Sequence, residues 1–238
     1  MRTGSSPWGR PAAPRYAAAL WWAFLAASAA HLAALLAGAG DVARLSKPVL
    51  MLLLAGCVAA RGAGLLTGAA LLAGCAGDTL LGLDSDTAFL CGMAAFAVGH
   101  ACRLAFFARR GSGAVSSRGG PGLTLLYAAL WLGVLAALWP GLPPALRLPV
   151  AGYSLLLAAT ARAAWRLGPV AALGGALFLL SDTLLATGLA HWRPLPEQTC
   201  WVMATYLAAQ YLLAHAETAA PRAGRAGGTA AEPAAAGG

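Results

Sequence analysis

Two aspartates stand inside otherwise apolar runs: Asp78 in LLAGCAGDTLLGL (71–83) and Asp182 in ALFLLSDTLLATGL (176–189). Each follows a small residue, Gly77 or Ser181, and each precedes Thr-Leu-Leu. A carboxyl group in such a run can give and take protons, or hydrogen-bond a neighbouring helix through Ser, Thr or backbone groups. In hydrocarbon it costs roughly 2.5–3.5 kcal/mol on the insertion scale, so it must face protein or water. A single such residue is explained as readily by helix-to-helix bonding as by function. Two in matching contexts favour a shared site.

Other polar residues interrupt the apolar runs. Lys47, the sole lysine, lies in SKPV and has two readings: an interfacial lysine whose stem snorkels, or a contact for a phosphate head group. His100 has Arg103 one turn later; histidine there can relay protons or orient a carboxylate, or simply pack through a hydrogen bond. Tyr206 and Gln210 share a helical face at i, i+4 spacing, the usual arrangement of interhelical glue. His31 has no counterpart later in the chain. There is no GxSxG elbow, HExxH, phosphate-binding loop or dinucleotide fingerprint. Cys57, Cys75, Cys91, Cys102 and Cys200 form no CxxC or Cys/His cluster, so no disulfide, metal or cofactor is expected.

The elements that must position these groups follow from composition. Of 238 residues, 60% are apolar and 10% charged, far below the roughly one-quarter charged residues of soluble domains. The deficit runs along the whole chain, and the runs do not alternate as barrel strands would. The expected fold is all-α, a polytopic membrane bundle of eight helices near 16–38, 46–60, 64–83, 87–108, 121–139, 145–165, 169–190 and 198–217. Only Arg61–Gly64 separates the second run from the third.

The net charge of +8 resides in short connections between apolar runs, which points to membrane orientation rather than nucleic acid. Arg2, Arg10, Arg15, Arg61, Arg109, Arg110, Arg118, Arg162, Arg166, Arg222 and Arg225 fall on one side of the eight-span plan. The opposite side has Arg44, Lys47, Arg147 and Arg193, balanced by Asp41, Asp84, Asp86 and Glu197. The positive-inside rule then makes both termini cytoplasmic. The basic segment 1–15 leads into a run too long for a signal peptide and is expected to be retained. Residues 218–238, rich in Ala, Gly and Pro, read as a disordered tail. The Ala, Gly, Leu and Arg bias points to a GC-rich bacterial genome and so to a bacterial plasma membrane.

A shift of 104 residues superimposes Asp78-Thr79-Leu80-Leu81 on Asp182-Thr183-Leu184-Leu185. KPVLMLLLA from Lys47 also resembles LPVAGYSLLLA from Leu148, and FAVGH (96–100) resembles YLAAQ (206–210) in its aromatic and polar positions. Four spans followed by four keep their direction, so the expected architecture is two parallel repeats within 16–217, about 16–108 and 121–217. Facing halves would bring both aspartates to one central cavity.

Ser46-Lys47-Pro48, Gly77-Asp78, Gly99-His100, Gly152-Tyr153, Ser181-Asp182 and Tyr206 with Ala209-Gln210, in this order, resemble the lysoplasmalogenase or YhhN-like family of eight-span membrane proteins. The likeness covers about residues 16–217. It departs from the family at Arg103, where an aromatic is common, and in reading SKPV for TKPL. The resemblance implies hydrolysis of the vinyl ether bond of a lysoplasmalogen-type lysophospholipid, giving a fatty aldehyde and a glycerophospho-base. It implies Asp78 and Asp182 as catalytic residues, with Lys47, His100, Tyr153, Ser181, Tyr206 and Gln210 around the substrate.

The chemistry agrees with two carboxyl groups. A vinyl ether reacts once its β-carbon is protonated to an oxocarbenium ion, which calls for an acid kept protonated by its surroundings. A second, ionised carboxylate stabilises the cation and activates water, as in glycosidases. Two other classes stay open: a transporter with proton-coupling aspartates, and a scaffold in which they only hold helices together.

Overall fold

The structure, a computed structural model, describes residues 15–83, 85–110 and 120–219. The segment before Arg15, Asp84, the connection bearing Arg118 and the tail from residue 220 lie outside the described residues. Eight helices occupy the expected apolar runs: α1 (Arg15–Leu36), α2 (Gly40–Ala60), α3 (Leu65–Leu81), α4 (Asp86–Arg110), α5 (Pro121–Leu138), α6 (Pro144–Ala164), α7 (Pro169–Leu189) and α8 (Gln198–Ala219). A short 3-10 turn, Trp165–Leu167, follows α6.

Local sequence sets the ends. Pro121, Pro144 and Pro169 open their helices, where a missing N–H has no intrahelical partner to lose. Gly62 at φ 67° reverses the chain between α2 and α3, and Gly168 at φ 108° does so before α7. The α2 helix begins at Gly40, six residues earlier than expected, because its first turns carry Asp41 and Arg44 and hydropathy alone does not see them. Pro48 sits within α2 and Pro149 within α6, each in the N-terminal half of its helix.

The chain is a polytopic helical membrane protein. Among the described residues, α1, α2, α4, α5 and α7 are long and apolar enough to cross a bilayer, and α3 is apolar but has 17 residues. In α6 and α8 polar residues lower the hydropathy, and several of these are buried: Thr160 in α6, Gln210 and Glu217 in α8. The outer surface is apolar instead, with Leu65 92% and Leu125 69% exposed, as lipid contact requires. Trp21 is buried against Tyr211, with Arg61 over its ring.

Successive helices pack on one another in both α1–α4 and α5–α8, the α3–α4 and α7–α8 pairs most extensively. The two sets meet where α4 lies on α6 and where α8 lies on α1, α2 and α3. The core between them includes Leu54 of α2, Leu71 of α3, Phe107 of α4, Leu157 of α6, Phe178 of α7 and Leu213 of α8. One difference shapes the site. Whereas α1 packs on α2 and α8, α5 rests on α6 and touches α7, leaving a groove along its inner face.

Candidate active site

The aspartate on α3 is aimed by glycines. A β-carbon at Gly77 would lie 2.6 Å from the Phe96 ring, so only a glycine lets that ring of α4 sit against the α3 backbone. A β-carbon at Gly74 would lie 3.3 Å from the Gln210 amide nitrogen and 3.4 Å from the Tyr206 hydroxyl. The cleared space admits both side chains from α8. Asp78, 6% exposed, accepts the Tyr206 hydroxyl at 2.7 Å.

The aspartate on α7 is held from two other helices. Ser181 is buried and donates to the Val202 carbonyl of α8 at 2.9 Å, which fixes the face that α7 turns inward. Asp182, half-buried, accepts the Tyr153 hydroxyl from α6. Asp78 and Asp182 lie within electrostatic reach of each other. Each carboxyl therefore takes one tyrosine from a different helix.

Both carboxyl groups line one cavity of about 630 Å³, within the range of small-molecule sites. Lys47, Tyr153 and Tyr206 also line it, and Lys47 lies within electrostatic reach of Asp78. The remaining wall is mostly apolar. A stripe of α5 from Leu123 to Leu138 forms one side, about 22 Å at the helical rise per residue. Near the Leu123 end, the Trp165 indole donates to the Tyr127 hydroxyl at 3.2 Å. The α5 helix is pinned to α6 by Trp131 donating to Ser154 at 3.0 Å and Arg162 donating to Thr124 at 3.0 Å.

Of the residues singled out in the sequence, Lys47, Asp78, Tyr153, Ser181, Asp182 and Tyr206 reach the cavity wall. His100 and Gln210 stand behind it. His100 is 2% exposed and packs edge-on against Phe178, with ring centroids 4.6 Å apart, and against Tyr153 at 5.9 Å. Phe178 in turn meets Tyr206 at 5.5 Å, so an aromatic layer joins the two tyrosines that serve the aspartates. Gln210 accepts from Arg103 at 2.6 Å.

The YhhN family matches residues 42–216, which takes in Lys47, both aspartates and both tyrosines. The chain belongs to the YhhN family. Two curated relatives are the lysoplasmalogenase TMEM86B of Sus scrofa, 39% identical over 136 residues, and that of Homo sapiens, 37% identical over 126. The alignments cover 57% and 53% of this chain, and 56% and 52% of those proteins. The chain thus matches a little over half the length of either relative. No solved structure matches it.

One group in this YhhN protein escapes sequence reading. Glu217 lies in the last turn of α8, where a charge reads as a span boundary; it is 2% exposed and pairs with Arg103 at 3.2 Å. His31 is also 2% exposed, with Nδ1 2.7 Å from Ser46 Oγ. The Ser46 hydroxyl also lies 3.0 Å from the Ala43 carbonyl. Among the described residues, no group of three or more His, Cys, Asp or Glu side chains is placed to hold a metal ion.

Proposed function

We propose that this YhhN protein hydrolyses the vinyl ether bond of a lysoplasmalogen-type lysophospholipid within the membrane. The carrying observation is the pair of aspartates, each bonded to its own tyrosine, on the wall of a single apolar cavity. Both relatives are lysoplasmalogenases, which supports the same substrate.

In this reading one aspartate donates its proton to the β-carbon of the vinyl ether, and the ether oxygen shares the resulting positive charge. The other remains a carboxylate and stabilises that cation. Water adds to the oxocarbenium carbon and gives up a proton to the aspartate that had donated one. The hemiacetal then breaks to an aldehyde and a free glycerol hydroxyl, its hydroxyl proton passing to the departing oxygen. One water is consumed, and the site returns to its starting protonation. The tyrosines restrict the carboxyl rotamers, so both groups stay aimed at the cavity through the cycle.

The apolar stripe of α5 suits the hydrocarbon chain of the lipid, and Lys47 suits its phosphate. By the arginine bias of the connections, both termini face the cytoplasm, and a bacterial plasma membrane is the setting. We read residues 16–108 and 121–217 as related halves, each contributing the aspartate of its third helix.

The test is to incubate purified protein with lysoplasmalogen or with an ordinary lysophospholipid, measuring aldehyde and free fatty acid. Aldehyde from the first and no fatty acid from the second is the expected result. Asp78→Asn and Asp182→Asn should each lower aldehyde release about 100-fold or more, as for a lost acid–base group. The double variant should be little worse, because both groups serve one transition state. Full activity in either single variant sinks the mechanism. Proton-dependent uptake into vesicles without aldehyde would instead make the protein a transporter.

A further inference from the structure

Behind Asp78 lies a buried ion pair that the chemistry above does not use. Arg103 of α4 and Glu217 of α8 are each 2% exposed, and the Arg103 Nε–H donates to Glu217 Oε1 at 3.2 Å. A buried ion pair is weak evidence for stability, since apolar residues of similar size often serve as well. Its hydrogen-bond direction is more informative.

A guanidinium has only donors, whereas a glutamine amide has an acceptor oxygen and a donor nitrogen at opposite corners. Arg103 Nη2 donates to Gln210 Oε1 at 2.6 Å, which fixes the amide with its oxygen toward α4. The Gln210 nitrogen and the Tyr206 hydroxyl lie 3.3 and 3.4 Å from one point above Gly74, so the amide nitrogen is the end of Gln210 on the phenol side. Tyr206 directs its single O–H to Asp78 Oδ2 at 2.7 Å, which leaves its oxygen as the acceptor it can offer the amide. The two outer links have one direction each, guanidinium to amide and phenol to carboxylate, and they set the amide nitrogen as the donor toward the phenol between them. Tyr153, which serves Asp182, packs instead against the edge of the His100 ring.

We propose that Arg103, locked by Glu217, is a positioning residue for Asp78, acting through Gln210 and Tyr206. Its kinetic consequence rests on the hydrolase reading; the hydrogen-bond chain does not. Free of the cation, the Gln210 amide can turn over and present its oxygen to Tyr206. The phenol then donates to Gln210 rather than Asp78, and the carboxyl loses its fixed rotamer.

The discriminating variant is Arg103→Met with Glu217→Met, which removes the ion pair as a unit and keeps similar volume. The expected result is a fall in kcat of about tenfold or more, with KM little changed, as for a misaimed catalytic group. Arg103→Lys retains a cationic donor for Gln210 and should restore kcat to within about threefold of the unsubstituted protein. A second readout needs no turnover: the infrared C–O stretch of Tyr206, identified by its loss in Tyr206→Phe. It should shift in the double variant and return in Arg103→Lys. If the double variant does not fold, Gln210→Glu decides the matter, because it keeps an acceptor for Arg103 and removes the amide N–H. An unchanged tyrosine band in a folded double variant, or in Gln210→Glu, overturns the proposal. Absence of aldehyde release from the unsubstituted protein would overturn the hydrolase reading alone and leave the infrared result to decide this one.

Discussion

Tyr206 of α8 donates its hydroxyl hydrogen to Asp78 of α3 at 2.7 Å, across 128 residues of sequence. Both groups are buried, at 4% and 6% exposure, and both border the cavity. Removing only the phenol oxygen leaves the ring packing against Phe96 and Phe178 in place. Tyr206→Phe should therefore cost about 1–3 kcal/mol, the range for a buried polar group left unsatisfied. Chemical denaturation in detergent measures that cost. Turnover should fall more steeply than stability, because Asp78 becomes free to rotate; equal turnover in a folded variant would detach Tyr206 from the chemistry.

Gly77 places Asp78 by letting a neighbour in. A methyl group there meets the Phe96 ring at 2.6 Å, too close without movement of α3 or of the ring. Gly77→Ala should destabilise the protein by about 1–3 kcal/mol, as overpacking does. Combining it with Phe96→Leu should recover part of the loss, since the contact that forces the shift is gone. Thermal unfolding of the two single variants and the pair forms the required cycle.

The buried Arg103–Glu217 pair predicts a contrast between single and double removal. Glu217→Ala leaves a buried guanidinium without this counter-charge, and should cost about 3–5 kcal/mol. Arg103→Met with Glu217→Met should unfold much closer to the unsubstituted protein. Denaturation midpoints of the three proteins check this; a double variant as unstable as Glu217→Ala would make the pair a structural necessity.

The spans and both aspartates are legible in the sequence because hydropathy is additive and a charge in an apolar run stands out against it. Tyr153 and Ser181 came only from the family resemblance. A single tyrosine or serine in an apolar run carries no such contrast, and the partner of Tyr153, Asp182, lies 29 residues away. Glu217 was hidden by its place at the end of a run, where charges ordinarily meet water, and only the helix against which α8 packs makes it a buried group. The role of Gly77 depends on how near Phe96 comes, and no pattern along one strand of sequence encodes that distance. The cavity wall was equally silent: α5 has no charged residue, and Tyr127 and Trp131 on its inward face do not stand out in an apolar run.

That inward face sets the last expectation, for the length of hydrocarbon chain the cavity admits. Ala176 of α7 lines the cavity six residues before Asp182, about 9 Å along the helix toward the Leu123 end. With Ala186 it is the smallest residue of α7 on that wall, and a larger side chain there must project into the space. If the chain of the lipid lies along α5 below the carboxyl groups, Ala176→Trp will block it without touching Asp78, Asp182 or their tyrosines. Long-chain lysoplasmalogens should then lose kcat/KM by about tenfold or more, whereas short-chain ones lose little, because only the former lack room for a bound geometry near attack. Aldehyde release across a series of chain lengths reads the effect directly. An equal loss at every length would mean that the variant disturbs the carboxyl pair itself, and an unchanged profile would mean that the chain leaves the site in another direction.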